Sequence, residues 1–355
     1  MKNRKVNFFA LRKGAGVLSF LFVIFVFILL LFINLSIGTV RIPFVELLRF
    51  FTFQELNDSI YKAILFDIRF PRILLGIFSG SILAVAGNLF QALLRNPLAD
   101  PYILGVSSGA AFGTVLTIAL FGTGGILPGI FYNLPAMAFI FALIVAFGTY
   151  FIAKKNGKIP VVDLILSGVI MNFLFSAGTT FVIVYGWRNV QHASFWLMGS
   201  LSGAMWEKVY SMGIVAIAGV VMGIALSNSL NAISMGEEEA MNVGVNVEKL
   251  KIFIFIAGTL MTAYTVTATG IVGFVGLIMP HTARLLVGPN HKVSVPASAI
   301  LGAIFLTTCD TIARSVFQPS EMPLGTITAL IGAPIFIFLL RKSRNCYDAY
   351  NNVGN

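Results

Sequence analysis

The chain has 355 residues, of which 57% are hydrophobic and only 11% charged, a balance that excludes an ordinary soluble domain and points to a polytopic membrane protein. Its formal net charge of +10 is carried by basic residues scattered between apolar runs. That scatter is loop charge under the positive-inside rule, and it argues against a nucleic-acid-binding patch.

In chain order, residues 1–16 form a basic leader expected on the cytoplasmic side. The apolar run Val17 to Leu35 lacks a small-residue cleavage site and is too long for a signal-peptide core, so an uncleaved first span is expected. Ser36 to Phe70 is a mixed-charge outer loop, and its stripe of Phe44, Leu47, Leu48 and Phe51 predicts a surface helix. The segment Arg69 to Gly113 is the most informative stretch. Arg69 and Arg72 flank Pro71 and precede the apolar run Ile73 to Leu94, which as a helix is about 33 Å long and crosses a bilayer. Pro71 fits the first turn of such a helix, and the two arginines would share one face of it. Asn88 and Gln91, three apart within the run, are expected to face protein or a water-filled path. Gly76 with Gly80, and Gly105 with Gly109 and Gly113, repeat the small-residue spacing that lets helices approach closely.

Later spans are expected at Pro101 to Phe121, Asn133 to Ala153, Pro160 to Tyr185, Val209 to Leu226, Lys251 to Gly270, Ile271 to Val287, Val293 to Ala313 and Pro323 to Leu340. The fold class is therefore all-α and polytopic, with about ten transmembrane helices and both termini cytoplasmic. Most of the 24 Lys and Arg residues then fall on inner segments, among them Arg95, Lys154, Lys155, Lys249, Arg284 and Arg341, as the positive-inside rule requires. Ile271 to Val287 is short and interrupted by Gly273, Gly276 and Pro280. A broken helix of that kind belongs where protein covers its freed backbone.

The inner loop 227–250 contains Ser234 three residues before Glu237, a capping-box spacing, and Gly244 where a short helix can end. With Met241 and Val243 on it, the segment reads either as a docking knob for a soluble partner or as a solvated connection. The chemistry-bearing motifs are weak. Gly105, Ser107 and Gly109 spell GxSxG inside a membrane helix, without the strand-turn-helix setting of a nucleophile elbow. Gly157 and Lys158 are followed by Ile159, so there is no Walker A loop, and His192, His281 and His291 form no HExxH. Cys309 and Cys346 are too few for a disulfide or metal framework. His281 is open to a ligand or relay role or to a structural hydrogen bond. Asp310 and Arg314, four apart, can pair, and a proton-coupled secondary transporter would use such a carboxylate.

The run RFPR, the segment GNLFQALLRNPLADPYILGVSSGA, the loop with GEEEAMNVGV, and then GFVGLIMPHTARLLVGP and LGTITALIGAPIFIFLL together resemble the FecCD family from about Phe66 to Arg341. Members are permease subunits of ABC importers for iron chelates, haem and cobalamin. The resemblance implies a single permease domain over 17–341 with a cytoplasmic tail at 342–355, in a bacterial plasma membrane. It implies pairing with a second copy or close relative, two cytosolic ATPase subunits beneath, and an extracytoplasmic binding protein above. On the matching positions it implies docking of that protein at Arg69, Arg72 and Arg314. ATPase coupling is implied at Ser234, Gly236, Glu237, Glu238, Ala240, Met241, Val243 and Gly244. A translocation pathway past Asn88, Gln91, Met171 and Asn172 is expected to alternate its access. No catalytic residue, metal ligand or cofactor is expected. The family's gate falls near Pro160 to Asp163, where the small hydroxyl residues of the pattern are missing.

Overall fold

The computed structural model describes residues 27–36, 42–52, 58–121, 133–185, 196–316 and 320–353, with isolated positions 25, 38, 40 and 54. The leader 1–16 and most of the first half of the run from Val17 lie outside the described residues, as do the side chains of the 342–355 tail. Helices α1 (Phe27–Ser36) and α2 (Phe44–Phe51) precede the long α3 (Ser59–Leu93). A 3-10 turn at Pro101–Leu104 leads to α4 (Val106–Phe121), α5 (Leu134–Ala153) and α6 (Val161–Tyr185). Then follow α7 (Trp206–Ala225), α8 (Ser227–Met235), α9 (Glu237–Asn242), α10 (Val247–Thr269), α11 (Val275–Val287), α12 (His291–Ser315) and α13 (Leu324–Val353). Among the described residues 6 helices are long and apolar enough to cross a membrane, and the remaining apolar helices, at Phe27–Ser36, Val106–Phe121, Val275–Val287 and Leu324–Leu339, are shorter.

Capping explains the boundaries that differ from expectation. Asn246 and Asn290 accept hydrogen bonds from the N–H groups of Lys249 and Lys292, which starts α10 and α12 ahead of their apolar runs. Asp100 caps the 3-10 turn through the Tyr102 N–H, and Gly105, at φ 89°, separates that turn from α4. The Arg69–Pro71–Arg72 motif does not open a helix. Helix α3 already begins at Ser59 and passes through a π-helical stretch, Ile64–Arg69, in which the Phe70 N–H bonds the Leu65 carbonyl five residues back. That wider turn accommodates Pro71, which has no N–H to offer the regular ladder. Likewise, the break expected within Ile271 to Val287 lies wholly ahead of α11, across 270–274, and α11 runs through Pro280.

Helix α3 is the hub, enclosed by α7, α10, α11 and α12, and nearly every residue from Pro71 to Leu93 is buried. Helices α4, α5 and α6 form a second group that joins the first chiefly through α5 against α10. The glycine spacings do what their pattern implies. Gly80 of α3 faces Gly302 of α12 so closely that a Cβ on either would strike the other's backbone carbonyl, and Gly109 and Gly113 let α4 touch the α5 backbone. A membrane interior lacks a strong hydrophobic drive between helices, so such close van der Waals approach supplies much of the cohesion. Gly302→Val is expected to cost about 2 kcal/mol through overpacking, seen as a lower melting temperature of the detergent-purified protein. Gly273→Ala, with open space around the added methyl, is the control expected to leave the melting temperature unchanged.

Candidate functional site

Three features stand out: a charge cluster in the first half of α3, a buried polar layer near its end, and a short helical segment beyond that end. In the charge cluster, Arg72 donates from Nε to both Asp310 carboxylate oxygens at 3.1 and 3.0 Å and from Nη2 to Oδ1 at 2.8 Å. The same guanidinium grips Glu321, with Nη1 to Oε1 at 2.8 Å and Nη2 to Oε2 at 2.9 Å. Arg314 lies further from Asp310, at 3.9 Å, and donates to the Asn34 carbonyl of α1. Arg69 donates to the carbonyls of Leu35, Ser36 and Val40. The structure thus brings the three expected docking arginines to one end, but it encloses them, with 4% of Arg69, 9% of Arg72 and 8% of Arg314 exposed. Their hydrogen bonds stitch the α1–α2 connection, α3 and α12 together. Asp310, expected to pair with Arg314, has Arg72 as its nearer partner. Sequence reading missed Glu321, although a lone acid in the turn Ser320-Glu321-Met322-Pro323 was a visible signal.

The expected pathway residues lie inside the protomer. Asn88 is fully buried and donates to Ser298 Oγ of α12 at 2.9 Å, while its carbonyl oxygen meets no partner among the described residues. Gln91 answers a specific backbone defect. Pro280 cannot donate to Gly276 four residues back, and the Gln91 amide reaches that freed carbonyl at 3.3 Å, with Leu277 O at 3.0 Å and Ala99 O at 3.2 Å. Its own oxygen accepts from Arg284 of α11. Met171 packs against Gly105 and Gly148, and Asn172 donates to the Ile103 carbonyl at 3.1 Å. In this conformation all four make contacts between helices within the protomer. A buried amide gains more from a fixed carbonyl partner than from a transient ligand. Both ring nitrogens of His281 lack a hydrogen-bond partner among the described residues, so no structural bond accounts for it.

At the far end of α3, α8 and α9 form the expected short helical segment. The capping box is not formed, because Ser234 lies within α8 and donates to the Leu230 carbonyl at 2.8 Å, while Gly236 precedes α9 without a side-chain cap. The exit matches expectation. Gly244, at φ 84°, bonds back to Met241 and Val245 bonds back to Ala240, the paired contacts of a Schellman motif. Ala240 is the buried anchor of α9, whereas Met235 is 78% and Val243 70% exposed, with Met241 beside them. Glu237 is tied to Lys251 at 2.7 Å and more loosely to Arg95 at 3.8 Å, leaving Glu238 exposed.

The FecCD transport family model matches residues 26–342 of this chain. The chain belongs to the FecCD transport family. Among FecCD-type relatives, the cobalamin import system permease protein BtuC of Halobacterium salinarum is 43% identical, over 79% of this chain and 74% of that protein. The Fe(3+)-citrate import system permease protein YfmD of Bacillus subtilis is 34% identical, over 94% of this chain and 97% of that one. A solved metal-chelate-type ABC transporter in an inward-facing conformation superposes with a TM-score of 0.78 at 32% identity, covering 90% of this chain and 97% of that one. The chain is thus similar to ABC permeases along nearly its whole described length.

The charge cluster generates a stability prediction for this FecCD protein. Asp310→Ala would leave Arg72 with the half-exposed Glu321 and take from Arg314 its carboxylate partner, and breaking a buried pair on one side is expected to cost about 3 kcal/mol. Thermal unfolding of the purified protein measures this, and Arg72→Gln combined with Asp310→Asn is expected to recover most of the loss.

Proposed function

We propose that this chain is the membrane-spanning permease subunit of an ABC importer that moves an iron chelate, haem or cobalamin across a bacterial plasma membrane. Relatives named for cobalamin and for Fe(3+)-citrate support that cargo class. In this reading about ten spans, with both termini cytoplasmic, surround half of a pathway completed by a second copy or close relative. Two cytosolic ATPase subunits drive alternating access, and an extracytoplasmic binding protein delivers the cargo.

One observation carries the reading furthest: the apolar tip formed by Met235, Met241 and Val243 stands out from a short, firmly anchored helix pair. Exposed apolar side chains on a rigid knob beyond the end of a membrane helix are suited to a protein partner. Gly236, Glu237 and Glu238 present that knob, with Ser234, Ala240 and Gly244 shaping it. At the opposite end, the Arg69, Arg72 and Arg314 cluster would meet acidic groups of the binding protein, with Glu321 as the carboxylate that must give way. Asp310, the acid a proton-coupled carrier would need, is occupied by Arg72, which disfavours that alternative. The path is taken to run along the surface between copies, where α6 is the least enclosed long span. Asn88, Gln91, Met171 and Asn172 would join it only if the helices part.

Reconstituted alone in liposomes, the chain is expected to move no cargo under a pH gradient, and to support uptake only with ATPase subunits, binding protein and ATP. Flux from the chain alone would overturn the proposal. For docking, the charge-neutral pair Arg72→Gln with Asp310→Asn is expected to assemble normally and to lose the ATPase stimulation given by the binding protein. Undiminished stimulation would remove Arg72 from the docking surface.

A further inference from the structure

Lys251 sits in the first turns of α10 with its side chain only 3% exposed, and all three donors of its ammonium are engaged. It donates to Glu237 Oε2 of α9 at 2.7 Å, to Glu248 Oε1 of its own helix at 3.0 Å and to the Ile159 carbonyl at 3.1 Å. Glu248 returns to the same residue, its Oε2 accepting the Ile159 N–H at 2.9 Å. Both backbone polar groups of Ile159 are therefore held by side chains from α10. Ile159 is itself buried, and only Pro160 separates it from the start of α6. The proline ring fixes φ, so a displacement of Ile159 passes to the first turn of α6 with little slack.

The same ammonium thus holds the first residue of α9 and the residue that leads into α6. Helix α9 otherwise packs to any extent only on α8 and α10, while α6 has the smallest enclosed share of the long spans, 22%. A rigid short helix joined by a short, directional, charge-assisted link to the start of a long span is the arrangement needed to carry a displacement. Apolar packing alone would let α9 slide, whereas a buried ammonium cannot leave its two carboxylates without exposing unpaired charge.

We propose that Lys251 is a positioning residue that transmits movement of the α8–α9 segment to the start of α6, through Glu237 on one side and the Ile159 backbone, with Glu248, on the other. This rests on the reading of the chain as an ATPase-driven permease. The test uses the complete importer in proteoliposomes, with ATP hydrolysis and cargo taken up per ATP measured for Lys251→Met, Glu237→Gln, their combination and Lys251→Arg. Cargo per ATP is expected to fall about tenfold in each of Lys251→Met and Glu237→Gln, the size of a typical coupling free energy, with hydrolysis retained in Lys251→Met. The combination is expected to be no worse than Lys251→Met, because both variants cut one link, and Lys251→Arg is expected to restore part of the yield.

Unchanged cargo per ATP in Lys251→Met, or losses that multiply in the combination, would overturn the proposal. Should Lys251→Met fail to assemble, Glu237→Gln decides alone, because that side chain is 29% exposed and its amide keeps the shape of the site. A wild-type complex that shows no ATP-driven uptake would refute the permease reading itself. A working importer indifferent to Glu237→Gln refutes only the link.

Discussion

The contact between α3 and α12 is the constraint on which the rest of the structure depends. Its centre is a backbone-to-backbone approach at Gly80 and Gly302, and polar clamps are spaced along it. Arg72 meets Asp310 at one end, Ser81 donates to the Ala299 carbonyl at 3.0 Å near the middle, and Asn88 donates to Ser298 toward the other end. Each clamp is specific to one register of two antiparallel helices. Within a bilayer, where lipid offers no hydrogen bonds, a slip by one turn would strand several polar groups at once. Register is therefore held more firmly than close packing alone could hold it, and α7, α10 and α11 assemble around an axis that is already set.

The two ends of α3 are finished in opposite ways. In its first half, three arginines and Asp310 are enclosed with Glu321 half-exposed beside them, and the bonds of Arg69 and Arg314 to carbonyls near the end of α1 sew the connection before α2 onto the bundle. Beyond its end, charges serve as anchors under an exposed apolar tip, with Glu237 gripping Lys251 so that Met235 and Val243 can stand clear. An end built from enclosed ion pairs resists deformation, and an end that offers methionine and valine on a stiff support is suited to being gripped.

Polar residues in this protein repair backbone as often as they recognise anything. Gln91 illustrates the point, since it supplies the donor that Pro280 withholds from Gly276 and is held in turn by Arg284. The π-helical turn ahead of Pro71 solves a similar problem without a side chain. Two prolines at membrane depth are thus accommodated by two mechanisms, and both leave the helices continuous.

The amino-acid sequence by itself determined the class of the molecule, the approximate place of its spans and the glycine-mediated approaches. These follow from local hydropathy and from spacings of three and four, which act within one helix. The family motifs, being contiguous, were legible in the same way. Only the tertiary structure decided the partners: that Asp310 answers Arg72 rather than Arg314, that Glu321 joins them, that Ser234 bonds back into its own helix, that Asn88 donates to Ser298 and that Gln91 donates to the Gly276 carbonyl. Each of those choices pairs residues far apart in the chain or depends on where a helix begins. Electrostatics and hydrogen bonding are settled by distance in space, which no one-dimensional pattern contains.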